Sequence, residues 1–307
     1  MYKKMFILIT LILMLSFSFA DLTTDLVSYY DFDEASGNLL DLTVNSKDLT
    51  NSNITYSQTG IIENAYSYNG STSTSVRTER LVSAYPFTYN VWFKTTATDG
   101  ELIAIADSTN NTGSSYLRIE AGKPTIGAYV LGGSNYICVN ATTKNDGAWH
   151  MATAIFKSDT NKLLYVDGVY SCNLITSSAF NGSANRTAFG YLPRLSPAIY
   201  FNGNIDEAGI WDRVLTSDEV TELYNSGDGF TYPFSAGECS PTINEDWVIS
   251  SALDCNSYEI NLGTGNLVLS TGAKLRLFDS NIVVNRFDIN ASGSQLWLGS
   301  KSWLKIS

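Results

Sequence analysis

What most limits the fold of this chain is a succession of short, alternating apolar segments from Leu26 to Trp211. They recur at spacings of about 8–15 residues and are separated by Gly, Asn and Asp turns, the pattern of an all-β sandwich. The clearest are LVSYYDFD (Leu26–Asp33), PFTYNVWFK (Pro86–Lys94) and WHMATAIFK (Trp149–Lys157). In Pro86–Lys94, Phe87, Tyr89, Val91 and Phe93 share one parity, as a half-buried strand requires. ELIAIAD (Glu101–Asp107) is apolar at both parities and reads as a central strand. LLYVD (Leu163–Asp167) runs into Gly168, and Asp-Gly between two strand segments marks a two-residue hairpin.

The segment Phe201–Gly229 carries the densest local signals. Phe201, Gly203 and Ile205 share one parity, whereas Ala208 and Ile210 hold the inward pattern after them. That one-residue slip predicts a β-bulge at Asp206-Glu207. Glu207 reads as a solvated strand residue. Thr216 and Glu219 have capping-box spacing, and Leu215 and Val220 have staple spacing. A short helix is expected with Val220, Leu223 and Tyr224 on its apolar face and Gly227 as its stop.

Residues 1–20 read as a secretory signal peptide: Lys3 and Lys4, an apolar run from Met5 to Leu15, then Ser18 and Ala20 before Asp21. No later stretch is long and apolar enough to span a bilayer. The chain has 19 basic and 30 acidic residues. Without Lys3 and Lys4 the count is 17 against 30, a net charge of −13. This disfavours nucleic acid and anionic membrane surfaces, and acidic oxygens suit hard cations such as calcium. The expected location is secreted or cell-surface.

In an exported chain four cysteines are expected as disulfides. Three connectivities are open; the local one, Cys138 with Cys172 and Cys239 with Cys255, is the expectation. A hairpin could place Cys138 and Cys172 on neighbouring strands.

The domain reading is a β-sandwich unit over 21–232, a Pro/Gly/Ser linker over 233–240 and a repeat segment over 241–307. In the last, Leu267-Val268-Leu269 and Leu275-Arg276-Leu277 match Leu296-Trp297-Leu298 and Leu304-Lys305-Ile306 at an offset of 29 residues. Short strands at a fixed period suggest a β-solenoid-like segment. Its last strand stops beside Ser307, so further chain or a covering partner is expected there.

No E-x-D-x-E run of alternating acids, of the kind that flanks a scissile glycosidic bond, occurs. His150 has no Gly-x-Ser-x-Gly or Cys-His companion and reads as a packing or surface residue. No Gly-rich phosphate loop leads into a helix. A non-catalytic module is therefore expected, with carbohydrate or a cell-surface protein as partner; the alternatives are a purely structural cell-envelope component and, behind it, a glycoside hydrolase. Tyr85, Tyr129, Tyr136 and Tyr191 are its candidate contacts, each also readable as an edge-packing ring.

Several stretches, in order, resemble the laminin-G-like jelly roll of the concanavalin A-like lectin/glucanase group. They are Leu26–Thr50, Gly60–Gly70, Pro86–Lys94, Ala148–Val169 and Phe201–Tyr224, covering roughly two thirds of the chain. The resemblance implies two antiparallel sheets face to face and, in many members, a structural calcium ion. Its implied ligands here are Asp33 of YDFDE, the Asn69-Gly70 region and Asp206 of IDE. Asn69 stands where an acid is usual and also heads a sequon, Asn69-Gly70-Ser71, so a glycan there would compete with a cation. The segment from Cys239, with Trp247 and Cys255, resembles the start of β-solenoid stretches of large microbial surface proteins.

Overall fold

The computed structural model describes residues 22–130, 134–234, 244–249, 252–256, 259–264, 266–269, 274–278, 281–289, 295–298 and 303–306. The expected signal peptide, residues 1–20, lies outside them. The chain divides into two compact units, Met1–Tyr232 and Pro233–Ser307.

The first unit begins with β1 (Leu26–Tyr30), β2 (Thr50–Ser52), β3 (Thr55–Thr59), β4 (Asn64–Asn69) and β5 (Thr74–Arg77). Then come β6 (Phe87–Lys94), β7 (Gly100–Ala106), β8 (Ser114–Glu120), β9 (Lys123–Tyr129) and β10 (Asn135–Val139). It closes with β11 (Trp149–Ser158), β12 (Asn161–Val166), β13 (Val169–Leu174), β14 (Arg186–Phe189), β15 (Asn202–Trp211) and helix α1 (Ser217–Tyr224). One sheet has the order β13-β12-β11-β6-β15-β4-β3, with β1 also pairing β15. The other runs β10-β9-β8-β7-β14-β5-β2. Every pairing in both is antiparallel, as the expected sandwich requires.

The core lies between the sheets. Phe87, Tyr89, Val91 and Phe93 of β6 all face it with no exposed surface. On β11 two small partners lie between two large ones: His150 opposite Phe93, Ala152 opposite Val91, Ala154 opposite Tyr89 and Phe156 opposite Phe87. The Phe87 and Phe156 rings stack with centroids 4.4 Å apart. Strand β7 is buried along its whole length between β8 and β14, which accounts for its two apolar faces.

Cys138 and Cys172 form a disulfide. They lie not on neighbouring strands of one hairpin but on β10 and β13, the edge strands of opposite sheets, so the bond clasps the sandwich along one side. Cys239 lies outside the described residues, as does the side chain of Cys255.

Helix α1 lies on the outer face of the first sheet. Its Tyr224 ring stacks on Trp92, whose parity on β6 is opposite to the core residues (centroids 5.6 Å, planes 10° apart). The capping box of Thr216 and Glu219 is present, and Leu215, Val220 and Leu223 are buried. The helix stops earlier than Gly227: Asn225 takes the left-handed conformation (φ 46°), which Asn tolerates, and Gly227 falls in a following 3-10 turn.

The second unit contains β16 (Trp247–Ile249), β17 (Ala252–Asn256), β18 (Glu259–Asn261), β19 (Asn266–Leu269), β20 (Lys274–Phe278), β21 (Asn281–Val284), β22 (Arg286–Ile289), β23 (Gln295–Leu298) and β24 (Trp303–Ile306). They form three parallel sheets, β16-β19-β22, β17-β20-β23 and β18-β21-β24. Leu267, Leu269, Leu275, Ile282 and Val284 fill its core. Trp247 pairs with Leu267, Lys274 with Gln295 and Asn281 with Trp303, steps of 20 to 22 residues. The 29-residue offset is therefore not the pairing step. It joins β19 to β23, which belong to different sheets, because successive strands share an apolar alternation whichever sheet they enter.

Candidate functional site

Strand β15 pairs β6 along one edge and changes partner on the other. Asn202–Ile205 pair with β4 and Ala208–Trp211 with β1. The register shift falls between Asp206 and Gly209, and Glu207 has φ 45°, so the predicted bulge is present where one neighbour ends and the next begins. Both acids turn inward. Asp206 is 0% and Glu207 1% exposed, so Glu207 is not the solvated strand residue its position suggested. The left-handed turn at Glu207 rotates it against β1, where the Tyr29 phenol donates to its carboxylate.

The loop 60–64 is held by the acids the sequence pointed to. Asp206 Oδ2 accepts the backbone N–H of Ile61 at 2.8 Å and of Ile62 at 3.3 Å, while Asp33 Oδ1 accepts that of Asn64 at 2.7 Å. The Gly60 Cα forms the floor of an oxygen-lined cradle. A Cβ there would stand 2.2 Å from the Asn64 carbonyl oxygen, 2.5 Å from Asp206 Oδ2 and 2.6 Å from the Ile62 carbonyl oxygen.

Burial and mutual repulsion disfavour the charged forms of these acids. Burial pushes the Glu207 carboxyl up to about 8 against the Tyr29 hydrogen bond, with Asp31 and Asp33 adding to the rise. Burial and the neighbouring Glu207 charge raise Asp206 well above the usual carboxylate range, opposed by the Ile62 and Ile61 N–H groups. Asp33 rises to about 6 through burial and the Asp31 and Glu63 charges, against the Asn64 N–H. The donors gathered here are hard oxygens, which fits calcium. Among the described residues no three acidic, His or Cys side chains converge to chelate an ion, so main-chain oxygens would have to complete a shell.

Asn69 and Gly70 stand elsewhere. Asn69 pairs with Asn202, well down the ladder from Asp206, and its Oδ1 accepts the N–H groups of Ser71, Thr72 and Ser73 in a turn. Gly70 donates its N–H to the Phe201 carbonyl. The sequence motif brings Asp33 and Asp206 to one loop and leaves this pair apart.

A second polar group surrounds the β12–β13 turn, where Asp167 (φ 52°) and Gly168 (φ 75°) make the tight connection. The Asp167 carboxylate accepts from Met151 N at 3.0 Å and Lys144 Nζ at 2.8 Å, and His150 Nδ1 lies 3.0 Å away. His150 Nε2 lies 3.1 Å from Asp146 Oδ1. Burial disfavours the imidazolium, but Asp167 and then Asp146 outweigh it and raise the His150 pKa. Beside this group an open hollow of about 250 Å³ includes Asn140, Thr142, Lys144, Tyr170 and Ser171 in its lining.

A family model for the concanavalin A-like lectin/glucanases superfamily matches residues 68–221, half of the chain. The chain belongs to this superfamily. Domain 4 of AbnA, a GH43 extracellular arabinanase from Geobacillus stearothermophilus, in complex with arabinotriose, is similar at 21% identity. It has a TM-score of 0.53 over 65% of this chain and 98% of that one. The binding domain of Paraclostridial Mosquitocidal Protein 1 is similar at 15% identity, TM-score 0.52, over 66% of this chain and 52% of that one. The binding domain of botulinum neurotoxin DC in complex with rat synaptotagmin II is similar at 13% identity, TM-score 0.50, again over 66% and 52%. The chain thus spans about half the length of the two toxin binding domains. No curated protein sequence matches it.

In this concanavalin A-like sandwich the four tyrosines proposed as contacts are mostly packed. Tyr85 stacks with Phe87 and donates to the Ser178 carbonyl, and Tyr191, 8% exposed, stacks on Tyr200. Tyr129 and Tyr136 are half-buried against the core clusters. Two residues escaped the sequence reading. Glu101, opposite Arg118 on β8, is wholly buried and neither carboxylate oxygen has a hydrogen-bond partner. Burial pushes it up to about 8 despite the Arg118 and Arg194 charges. An acid at the start of a strand apolar on both faces was its only signal. Tyr170 is 53% exposed, and its place at the start of an edge strand hid it.

Proposed function

We propose that the protein is a non-catalytic, secreted or cell-surface binding module that recognises carbohydrate or a protein partner, with calcium as a structural ion at the bulge. The observation that carries the non-catalytic reading is the burial of Asp206 and Glu207. The only adjacent acid pair on a strand of this sandwich is closed off at 0% and 1% exposure among the described residues, and bound to Tyr29 and the loop 60–64. A substrate cannot reach those carboxylates without unfolding the bulge.

The solved structures support binding. One domain of similar fold is described in complex with arabinotriose and another with synaptotagmin II. The leader over 1–20 supports export, and among the described residues no helix is long and apolar enough to cross a membrane. Asp33, Asp206 and the carbonyls of Ile62 and Asn64 would hold the ion. Calcium would supply the positive charge that these carboxylates lack and lock the loop 60–64 to β15.

A glycan array that includes arabinan oligosaccharides tests the binding reading. Retention of at least one glycan is expected. Binding to none, together with no retained surface protein, would instead leave a purely structural envelope component. For the ion, millimolar calcium is expected to raise the melting temperature, reversibly with chelator and not in Asp206→Ala; an unchanged melt would remove it.

A further inference from the structure

We propose that the hollow beside the β12–β13 hairpin is the ligand site and takes one neutral pyranose ring of a glycan. This rests on the reading of the protein as a glycan-binding module. The hollow, about 250 Å³, lies below the roughly 300–1,000 Å³ of pockets for drug-sized ligands, a size for a single sugar ring.

Its aromatic wall is unusual for this molecule. Among the described residues the other large rings are packed in cores or edges, whereas Tyr170 is 53% exposed beside Val169 at 68%. Tyr165 fixes the Tyr170 ring edge-to-face, centroids 5.7 Å apart and planes at 78°. A rigid, exposed ring offers a stacking surface for the apolar face of a pyranose at low entropic cost.

The polar wall is held in place before any ligand arrives. Ser171 Oγ donates to Asn140 Oδ1 at 2.7 Å, and Asn140 Nδ2 donates to the Thr142 carbonyl at 2.8 Å. The Cys138–Cys172 disulfide ties the two strands that carry Ser171 and lead to Asn140. Lys144 Nζ gives one N–H to Asp167 at 2.8 Å; an ammonium has three, so two remain to meet hydroxyl oxygens. Charge sets the ligand class. Lys144 and Asp167, the charged side chains of the lining, pair with each other and offset, so the hollow favours a neutral polyol over an anion or a cation.

The test is saturation-transfer NMR on the full chain with methyl α-D-mannopyranoside, methyl β-D-glucopyranoside and methyl β-D-galactopyranoside. Transfer to at least one is expected, about tenfold weaker in Tyr170→Ala, and weakened several-fold in Lys144→Gln. Tyr170→Phe keeps the ring and should bind within about twofold of the original, which separates stacking from misfolding. Transfer to none of the three, or equal binding by Tyr170→Ala and Lys144→Gln, overturns the proposal. A positive glycan array in that case leaves the binding module with another site; a negative array removes both.

Discussion

Tyr29 and Glu207 stand 178 positions apart in the chain, and the Tyr29 phenol donates a hydrogen bond to the Glu207 carboxylate. Tyr29 lies opposite Gly209 on the β1–β15 ladder, so the bond spans the point where β15 exchanges one neighbour for another. It ties the first strand of the sandwich to its last.

Removing that donor leaves the buried Glu207 carboxylate one donor short, with the Thr231 side chain still bonded to it. Tyr29→Phe is expected to cost about 1–3 kcal/mol, the usual loss when a buried acceptor loses a donor. The bond favours the ionised carboxylate, and Glu207 ionises at about 8, so the loss should be larger at pH 9 than at pH 6. Urea denaturation at both values measures it; equal losses would show that Glu207 does not titrate there.

Glu101 gives stability an unusual slope. In the folded chain its carboxyl keeps its proton to about 8, against an ordinary 4.5. Between those values unfolding releases a proton, so stability falls as pH rises through that window. Glu101→Gln keeps the shape and cannot ionise. It is expected to stabilise the protein at pH 8 by about 1–4 kcal/mol, the range for replacing a buried charge. The gain should vanish near pH 4.5 in thermal melts taken across the range.

Gly60 has no room for a methyl group. In Gly60→Ala the new carbon would meet the Asn64 and Ile62 carbonyls and Asp206 Oδ2 at 2.2–2.6 Å, and two of the three are backbone. A destabilisation of about 3 kcal/mol is expected, the upper end for overpacking, or roughly 6–12 °C in melting temperature. Any calcium-dependent rise in the melt should be lost as well. A melt like that of the original chain would show that the loop yields freely.

The disulfide closes a sequence separation of 34 residues between edge strands of opposite sheets. Replacing both Cys138 and Cys172 by Ala should lower stability by about 3–4 kcal/mol in guanidinium unfolding. Treatment with reductant should lower the stability of the original chain's first unit by the same amount and leave that unit of the variant unchanged.

The sequence by itself determined the elements. Period-two alternation gave the strands of the sandwich, the parity slip marked the bulge at Asp206-Glu207, and the Thr216–Glu219 box placed the helix, because each depends on residues close in the chain. It also named Asp33 and Asp206, since a motif is local. Only the tertiary structure decided what long-range packing controls. It turned Glu207 inward onto Tyr29, set Asn69 away from Asp206, buried Glu101 without a partner and left Tyr170 open beside Lys144 and Asn140. The second unit shows the same division. Its strands follow from alternation, but their pairing at 20 to 22 residues does not, since any two strands with the same apolar parity look equivalent until a sheet chooses between them. Burial and charge are properties of neighbours brought together by folding, and the pair that closes this sandwich stands 178 positions apart in the chain.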